Sequence, residues 1–272
     1  MSTAVITTPG LIQFLNTMRN HMKLCGYSSG TVKAYLGQVQ SFISFNRPIN
    51  LRNITGQDIQ SYLNQLVDSG LSRSTIDQAT KAMEILYYEL FGKQLNLSGF
   101  KRPRKKRPAP IVLTSNEVCQ IACHAKTSRN RLMIELAYSA GLRVSELVEV
   151  KVEHLDLDRL MLHVPGFDKN KRTTFFSKHL KESLIKQAGA KNTSQYLFPS
   201  ERGGTLTTRA IAKFFKKALI ASGLKKLATP YSLRQSFVNL MLNQDTDPVA
   251  LQNTLDLRAL NPLPSPNSKK AA

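Results

Sequence analysis

Ala137-Tyr138-Ser139-Ala140-Gly141-Leu142-Arg143-Val144-Ser145-Glu146-Leu147 is the stretch that decides how this chain folds. Leu132, Met133, Leu136 and Ala137 recur at three to four residues, so the spacing predicts a helix over 130–140 with one buried face. Gly141 tolerates positive φ and suits the position that ends such a helix. Arg143 then stands in a turn of small residues, where its side chain can leave the core. A planar guanidinium there matches a phosphate bidentately, or it simply bridges to Glu146 or caps a helix. A second arginine follows far downstream in Thr229-Pro230-Tyr231-Ser232-Leu233-Arg234-Gln235-Ser236-Phe237, where Thr229 launches a helix with Pro230 at its first position.

Working outward, Thr114 and Glu117 have the spacing of a capping box and predict a helix start after Leu113. Residues 155–164 alternate as a strand, 165–170 make a turn, and 172–176 return as the hairpin partner. After Phe198-Pro199 and the Gly203-Gly204 turn, three more helices are expected, the last launched by Asp247 with Pro248. Helices, a small sheet and helices again describe an α+β domain. Upstream, Leu11, Phe14, Leu15 and Met18, then Tyr35, Val39, Phe42 and Ile43, keep the helical period. Gly26 to Gly30 punctuate these two helices, with Thr31 or Ser29 available as a cap. Thr55 opens a third helix carrying Ile59, Tyr62, Leu63 and Leu66, and Ser72 to Ser74 precede a fourth with Ile76, Ala79, Met83 and Leu86. Between the two regions, Lys101-Arg102-Pro103-Arg104-Lys105-Lys106-Arg107-Pro108-Ala109-Pro110 sets six cations among three prolines. Such a segment cannot continue a helix, and it repels itself into an extended strap. It would pass by composition as a nuclear-localisation signal, but a strap along a DNA backbone accounts for both its charge and its place.

The two arginine segments resemble the arginine boxes of the tyrosine recombinases, the phage integrase family, and in particular its integron- and Xer-like site-specific integrases. The resemblance runs through the whole downstream region. Residues 8–97, including Tyr27-Ser28-Ser29-Gly30-Thr31-Val32-Lys33-Ala34-Tyr35, are similar to the family's N-terminal domain. The implied fold is mainly α with a small β-sheet: a helical SAM-like core-binding domain over 1–97, a linker over 98–112, an α+β catalytic domain over 113–255 and a divergent, disordered tail over 256–272. The resemblance makes Arg143 and Arg234 the clamp for one DNA phosphate, surface-accessible rather than part of the core. A hairpin lysine is the implied acid that protonates the leaving oxygen. Lys169 is the preferred candidate, with Lys171 the alternative, although gapless alignment puts Phe167 there.

The chain departs from the family pattern where protons and nucleophile are concerned. Tyr231 stands where a histidine is usual, and Gln235 follows Arg234; both can still hydrogen-bond. After Leu255 the pattern stops. Leu257 occupies the place of the usual His or Trp, Pro266 that of the nucleophilic tyrosine, and Tyr231 is the last tyrosine of the sequence. Prolines at 262, 264 and 266 are incompatible with a tyrosine helix. Truncation, a frameshift and a selected loss of cleavage would all produce this tail. Two functions compete: an enzyme that joins DNA through phosphotyrosine, needing neither metal nor nucleotide cofactor, and a non-catalytic DNA-binding protein that occupies or blocks a recombination site. The expected state is a recombinase homologue unable to cleave in cis.

Composition supports a polyanionic partner. The formal net charge is +20, and acidic residues are absent before Asp58, between Glu89 and Glu117, and between Glu201 and Asp245. Lysines and arginines spread in this way suit double-stranded DNA, shared with other recombinase subunits, because each phosphate contact releases counterions. An RNA-binding helical protein fits the charge but not the arginine boxes. Cys119, Cys123 and His124 suggest zinc, yet they interleave with Val118, Ile121 and Ala122 and lack a second ligand pair, so they read as small apolar helix residues. Three cysteines, with neither an apolar span nor a signal-like start, point to a cytoplasmic protein, or a nuclear one in a nucleated host. Replacing Lys101, Arg102, Arg104, Lys105, Lys106 and Arg107 together by Ser should weaken duplex binding regardless of sequence. Equilibrium titrations across salt concentrations should show a slope reduced by up to several units, at about 0.9 for each phosphate no longer neutralised; an unchanged slope removes the strap from the interface.

Overall fold

The computed structural model describes residues 8–46, 53–92, 94–103, 109–164, 172–201, 203–244 and 246–255. The chain divides into two compact units, Met1–Arg107 and Pro108–Ala272. Much of the strap (104–108), the hairpin turn (165–171) and the tail (256–272) lie outside the described residues.

The first unit has four described helices: α1 Thr8–Leu24, α2 Ser29–Phe45, α3 Gly56–Asp68 and α4 Arg73–Phe91. Each apolar period predicted a helix here, and the caps show why they start where they do. The cap of α2 is Ser28 rather than the expected Ser29 or Thr31, because its hydroxyl accepts the Thr31 N–H at 3.2 Å. Thr55 and Asp58 form a reciprocal capping box on α3, satisfying two amides that the helix itself leaves unpaired. Ser72 caps α4 in the same way as Ser28 caps α2. The apolar faces meet in one core around Met22, Val39, Phe42, Ile59, Tyr62, Leu63 and Met83. Phe42 and Tyr62 pack edge to face with ring centroids 5.4 Å apart, a favoured arrangement for two aromatic quadrupoles.

The second unit runs α5 Ser115–Cys123, α6 Ser128–Ser139, α7 Val144–Glu149, strands β1 Leu155–Asp156, β2 Met161–Val164 and β3 Arg172–Phe175, then α8 Lys181–Ala188, α9 Thr208–Ala221, α10 Pro230–Asn243 and α11 Pro248–Leu255. The strands form an antiparallel sheet in the order β1-β2-β3, with Leu162 opposite Thr174 and Val164 opposite Arg172. The single strand expected over 155–164 is broken in two. The Asp156 carboxylate accepts the Arg159 N–H at 2.9 Å, and Leu160 takes φ +56°. A local side-chain bond has outcompeted the ladder, as short acidic side chains do. Helix α8 had no counterpart in the sequence expectation: it buries only Leu184 and Ala188, too sparse a pattern to read. On α5 the expected helix is present, capped by Thr114 and Glu117. Val118, Ile121 and Ala122 face the core, whereas Cys119 and Cys123 are exposed, so the expectation that these cysteines pack as apolar residues fails.

Gly141 fixes the geometry on which the rest of this unit turns. After α6 the Leu142 N–H reaches the Ala137 carbonyl at 3.0 Å, and Gly141 takes φ +59°. A Cβ there would lie 2.5 Å from Cδ1 of Phe237 on α10 and 3.1 Å from Cδ2 of Leu255 on α11. The glycine is therefore required twice, for its backbone conformation and for the close approach of two helices. Gly223 also has positive φ, at +74°, but nothing lies within 4 Å of its added Cβ. Gly141→Ala should lower unfolding free energy by roughly 2–5 kcal/mol, combining left-handed strain with overpacking. Gly223→Ala should cost only about 1–2 kcal/mol. Urea midpoints for the two variants test the difference, and equal losses would mean that the helix contacts at Gly141 are unimportant.

Candidate active site

The two arginines singled out by sequence meet at a carboxylate. Arg143 stands at the N-terminus of α7, just beyond the Gly141 turn. Its backbone N–H donates to Glu146 Oε2 at 2.6 Å, and its guanidinium reaches Oε1 at 2.8 Å. Arg234, one turn into α10, lies 3.7 Å from Glu146 Oε2. It donates to the Gly141 carbonyl at 2.7 Å and to the Leu255 carbonyl. A third guanidinium joins them. Arg172, the first residue of β3, donates to Glu146 Oε2 at 2.8 Å and to Oε1 at 3.3 Å, and binds the Thr254 carbonyl at 3.1 Å.

Among the described residues, four groups from α7, β3 and α10 thus form one network, three guanidiniums around one carboxylate. The side chains of Arg234, Arg172 and Arg143 are 1%, 8% and 39% exposed. The expectation of a surface-accessible pair therefore fails at Arg234, which is a core residue. Its hydrogen-bonding groups are drawn inward because they satisfy buried carbonyls, which are costly to leave unpaired. Arg143 is the most exposed of the three.

The electrostatics follow from this packing. Burial pushes the Glu146 carboxyl up, but the hydrogen bonds and charge of Arg172, the Arg143 amide and the Arg234 charge outweigh it and hold the group below its ordinary range. Burial, reinforced by the Arg143 charge, pushes the Arg234 guanidinium down to about 10. Arg234 remains charged at neutral pH. Among the described residues, the site is a preformed cluster of three guanidiniums around the Glu146 carboxylate.

Tyr231 is exposed in the first turn of α10, and its phenolic oxygen accepts from Gln235 Nε2 at 2.7 Å. That bond occupies an acceptor position of the phenol and leaves its O–H able to donate outward. Lys169, with Phe167 and Lys171, lies outside the described residues, as do Leu257 and Pro266. Of the strap cations, Lys101 and Arg102 are described, and Arg104, Lys105, Lys106 and Arg107 are not. Arg102 lies 3.9 Å from the carboxylates of Asp77 and Glu84 on α4, so part of its charge is answered within its own unit. Sequence reasoning missed Arg172 altogether and read Glu146 only as a competing partner for Arg143. The signal for Glu146 was present in its three-residue spacing from Arg143; nothing local marked Arg172. Among the described residues no group of three or more Cys, His, Asp or Glu is arranged to hold a metal ion, and no helix is long and apolar enough to cross a membrane.

Comparison with known proteins gives the same picture along the chain. Residues 112–261 match the phage integrase family, and residues 14–97 match the phage integrase N-terminal SAM-like domain. The chain is 28% identical to tyrosine recombinase XerD of Oceanobacillus iheyensis, over 85% of this chain and 84% of that protein. It is also 28% identical to tyrosine recombinase XerC of Bacillus pumilus, over 90% of this chain and 85% of that one. Among solved structures, a lambda integrase dimer bound to a COC′ core site superposes with a TM-score of 0.73 at 19% identity, covering 94% of this chain and 99% of that one. The Tn1549 transposon integrase in complex with circular intermediate DNA gives 0.68 at 16% identity, covering 90% and 92%.

Arg234→Ala should lower stability by about 3–5 kcal/mol, because it leaves buried partners unanswered. Arg143→Ala should cost about 1 kcal/mol or less, since its pairing is partly exposed to solvent. Glu146 stabilises the fold fully above the ordinary carboxylate range, and this contribution is lost as pH falls through its own lowered value. The stability gap between the parent chain and Glu146→Gln should therefore narrow on acidification. Urea unfolding at neutral and acid pH checks all three, and a gap that widens in acid would contradict the assigned direction.

Proposed function

The chain belongs to the phage integrase family, and on that premise we propose that it is a tyrosine-recombinase homologue that binds duplex DNA at a site of recombination and integration, without cleaving it in cis. The observation that carries the proposal is the convergence of Arg143, Arg172 and Arg234 on Glu146. A transferring phosphodiester concentrates negative charge on its non-bridging oxygens, and preorganised guanidiniums stabilise that charge without reorganising. Arg143 meets the phosphate, Arg234 and Arg172 supply the field behind it, and Glu146 holds the three in register. Tyr231, oriented by Gln235, donates its phenolic proton to a phosphate oxygen in the role a histidine usually takes. Lys169, or Lys171, is the acid for the leaving oxygen.

What the sequence lacks is a tyrosine at the nucleophile's expected place. Residues 232–272 contain no tyrosine, and Pro266 stands at the nucleophile's expected place. Without a phenol in line with the leaving oxygen, the phosphodiester is held and polarised but no covalent bond replaces it. Other recombinase subunits would share the DNA with this chain. The basic, acid-poor stretches, including Lys101, Arg102, Arg104, Lys105, Lys106 and Arg107, supply the salt-dependent affinity.

A nicked suicide duplex separates binding from cleavage. The expected result is a salt-sensitive complex by gel shift and no protein–DNA adduct after denaturation. A covalent adduct would overturn the inactive reading, and its mapping to Tyr231 would identify a relocated nucleophile. Absence of any complex with duplex DNA would sink the binding assignment as well.

A further inference from the structure

The two cysteines of α5 take no part in the arginine network, and their geometry is specific. Cys119 and Cys123 stand one helical turn apart, both exposed, with their Sγ atoms 4.0 Å from each other. Hydrogen bonding with Cys123 pushes the Cys119 thiol up, which favours its protonated form. On a helix the Cβ atoms of such a pair are about 5–6 Å apart, whereas a disulfide requires about 3.5–4.5 Å. An intact α5 therefore resists direct sulfur–sulfur closure. An inserted atom asks for less: two bonds of about 2.3 Å meeting at a bent angle hold the sulfurs about 3.5 Å apart. From the observed 4.0 Å that separation needs only a small torsional adjustment of two exposed side chains.

Beside this pair the surface is hollow and apolar. Cys119 lines a cavity of about 560 Å³ together with Val118, Tyr138, Phe237, Leu240 and Met241. We propose that α5 carries a two-thiol binding site for a soft, thiophilic atom bearing an apolar substituent, with the atom bridging Cys119 and Cys123 and the substituent entering this cavity. Soft ligands such as thiolates select soft acceptors. Because no third Cys, His, Asp or Glu among the described residues completes a cage, the acceptor that fits needs only two bonds from the protein. A trivalent arsenic atom carrying one aryl group meets that requirement. With phenylarsine oxide the reaction is a condensation: two As–S bonds form, two S–H bonds break, and the oxygen leaves with both protons as water. Arsenic stays trivalent, so no oxidant or reductant is needed.

The test uses the reduced full chain, phenylarsine oxide, intact-mass spectrometry and titration of the remaining thiols. One equivalent should bind and consume two of the three free cysteines, leaving Cys25 reactive. Cys25→Ser should bind unchanged, and Cys119→Ser or Cys123→Ser should bind on the order of 100-fold more weakly, as loss of one arm of a two-point attachment requires. Inorganic arsenite, which lacks the ring, should bind at least about 10-fold more weakly than the aryl compound. Undiminished binding by Cys119→Ser or Cys123→Ser, or equal consumption of Cys25, would overturn the bridge. Arsenite binding as tightly as the aryl compound would overturn the role of the cavity.

Discussion

The Glu146 carboxylate is the constraint on which the second unit depends. It receives Arg143 from the start of its own helix, Arg172 from β3 and Arg234 from α10. Without it, three guanidiniums would face one another in a partly desolvated space, where like charges repel strongly. With it, the same groups form a stable positive centre. The carboxylate thus allows three guanidiniums to be held together in advance, which is the condition for electrostatic preorganisation.

This network also reaches helix α11. Arg172 donates to the carbonyl of Thr254 and Arg234 to that of Leu255, so two of its guanidiniums are tied to the backbone of α11. Leu255 meanwhile packs beside Gly141 and Phe237, so backbone satisfaction and packing converge at one point. The tail from Asp256 onward is rich in proline, serine and asparagine.

Helix existence was legible wherever a sustained apolar period combined with a hydroxyl cap, as in α2, α3, α4 and α5. A short, sparsely buried helix such as α8 left no such trace, and a side-chain turn at Asp156 interrupted an alternation that otherwise read as one strand. For the site, the order of Arg143 and Arg234 was visible because local turn chemistry surrounds both. Their difference in exposure was not, since burial depends on which carbonyls from distant elements come to meet each side chain. Arg172 shows the same limit: nothing beside it in the chain distinguishes it from any other strand arginine.

The sequence by itself determined the helical composition of the first region, the basic partition of charge, the two arginine segments with the glycine between helix and turn, and the want of a tyrosine after Tyr231. These are properties of local pattern and chemical identity. Only the tertiary structure decided that Glu146 holds three arginines rather than one, that Arg234 is buried while Arg143 reaches solvent, and that Gly141 must admit two helices. Each of those depends on the approach of α7, β3, α10 and α11 across long stretches of chain, and residue spacing carries no record of that approach.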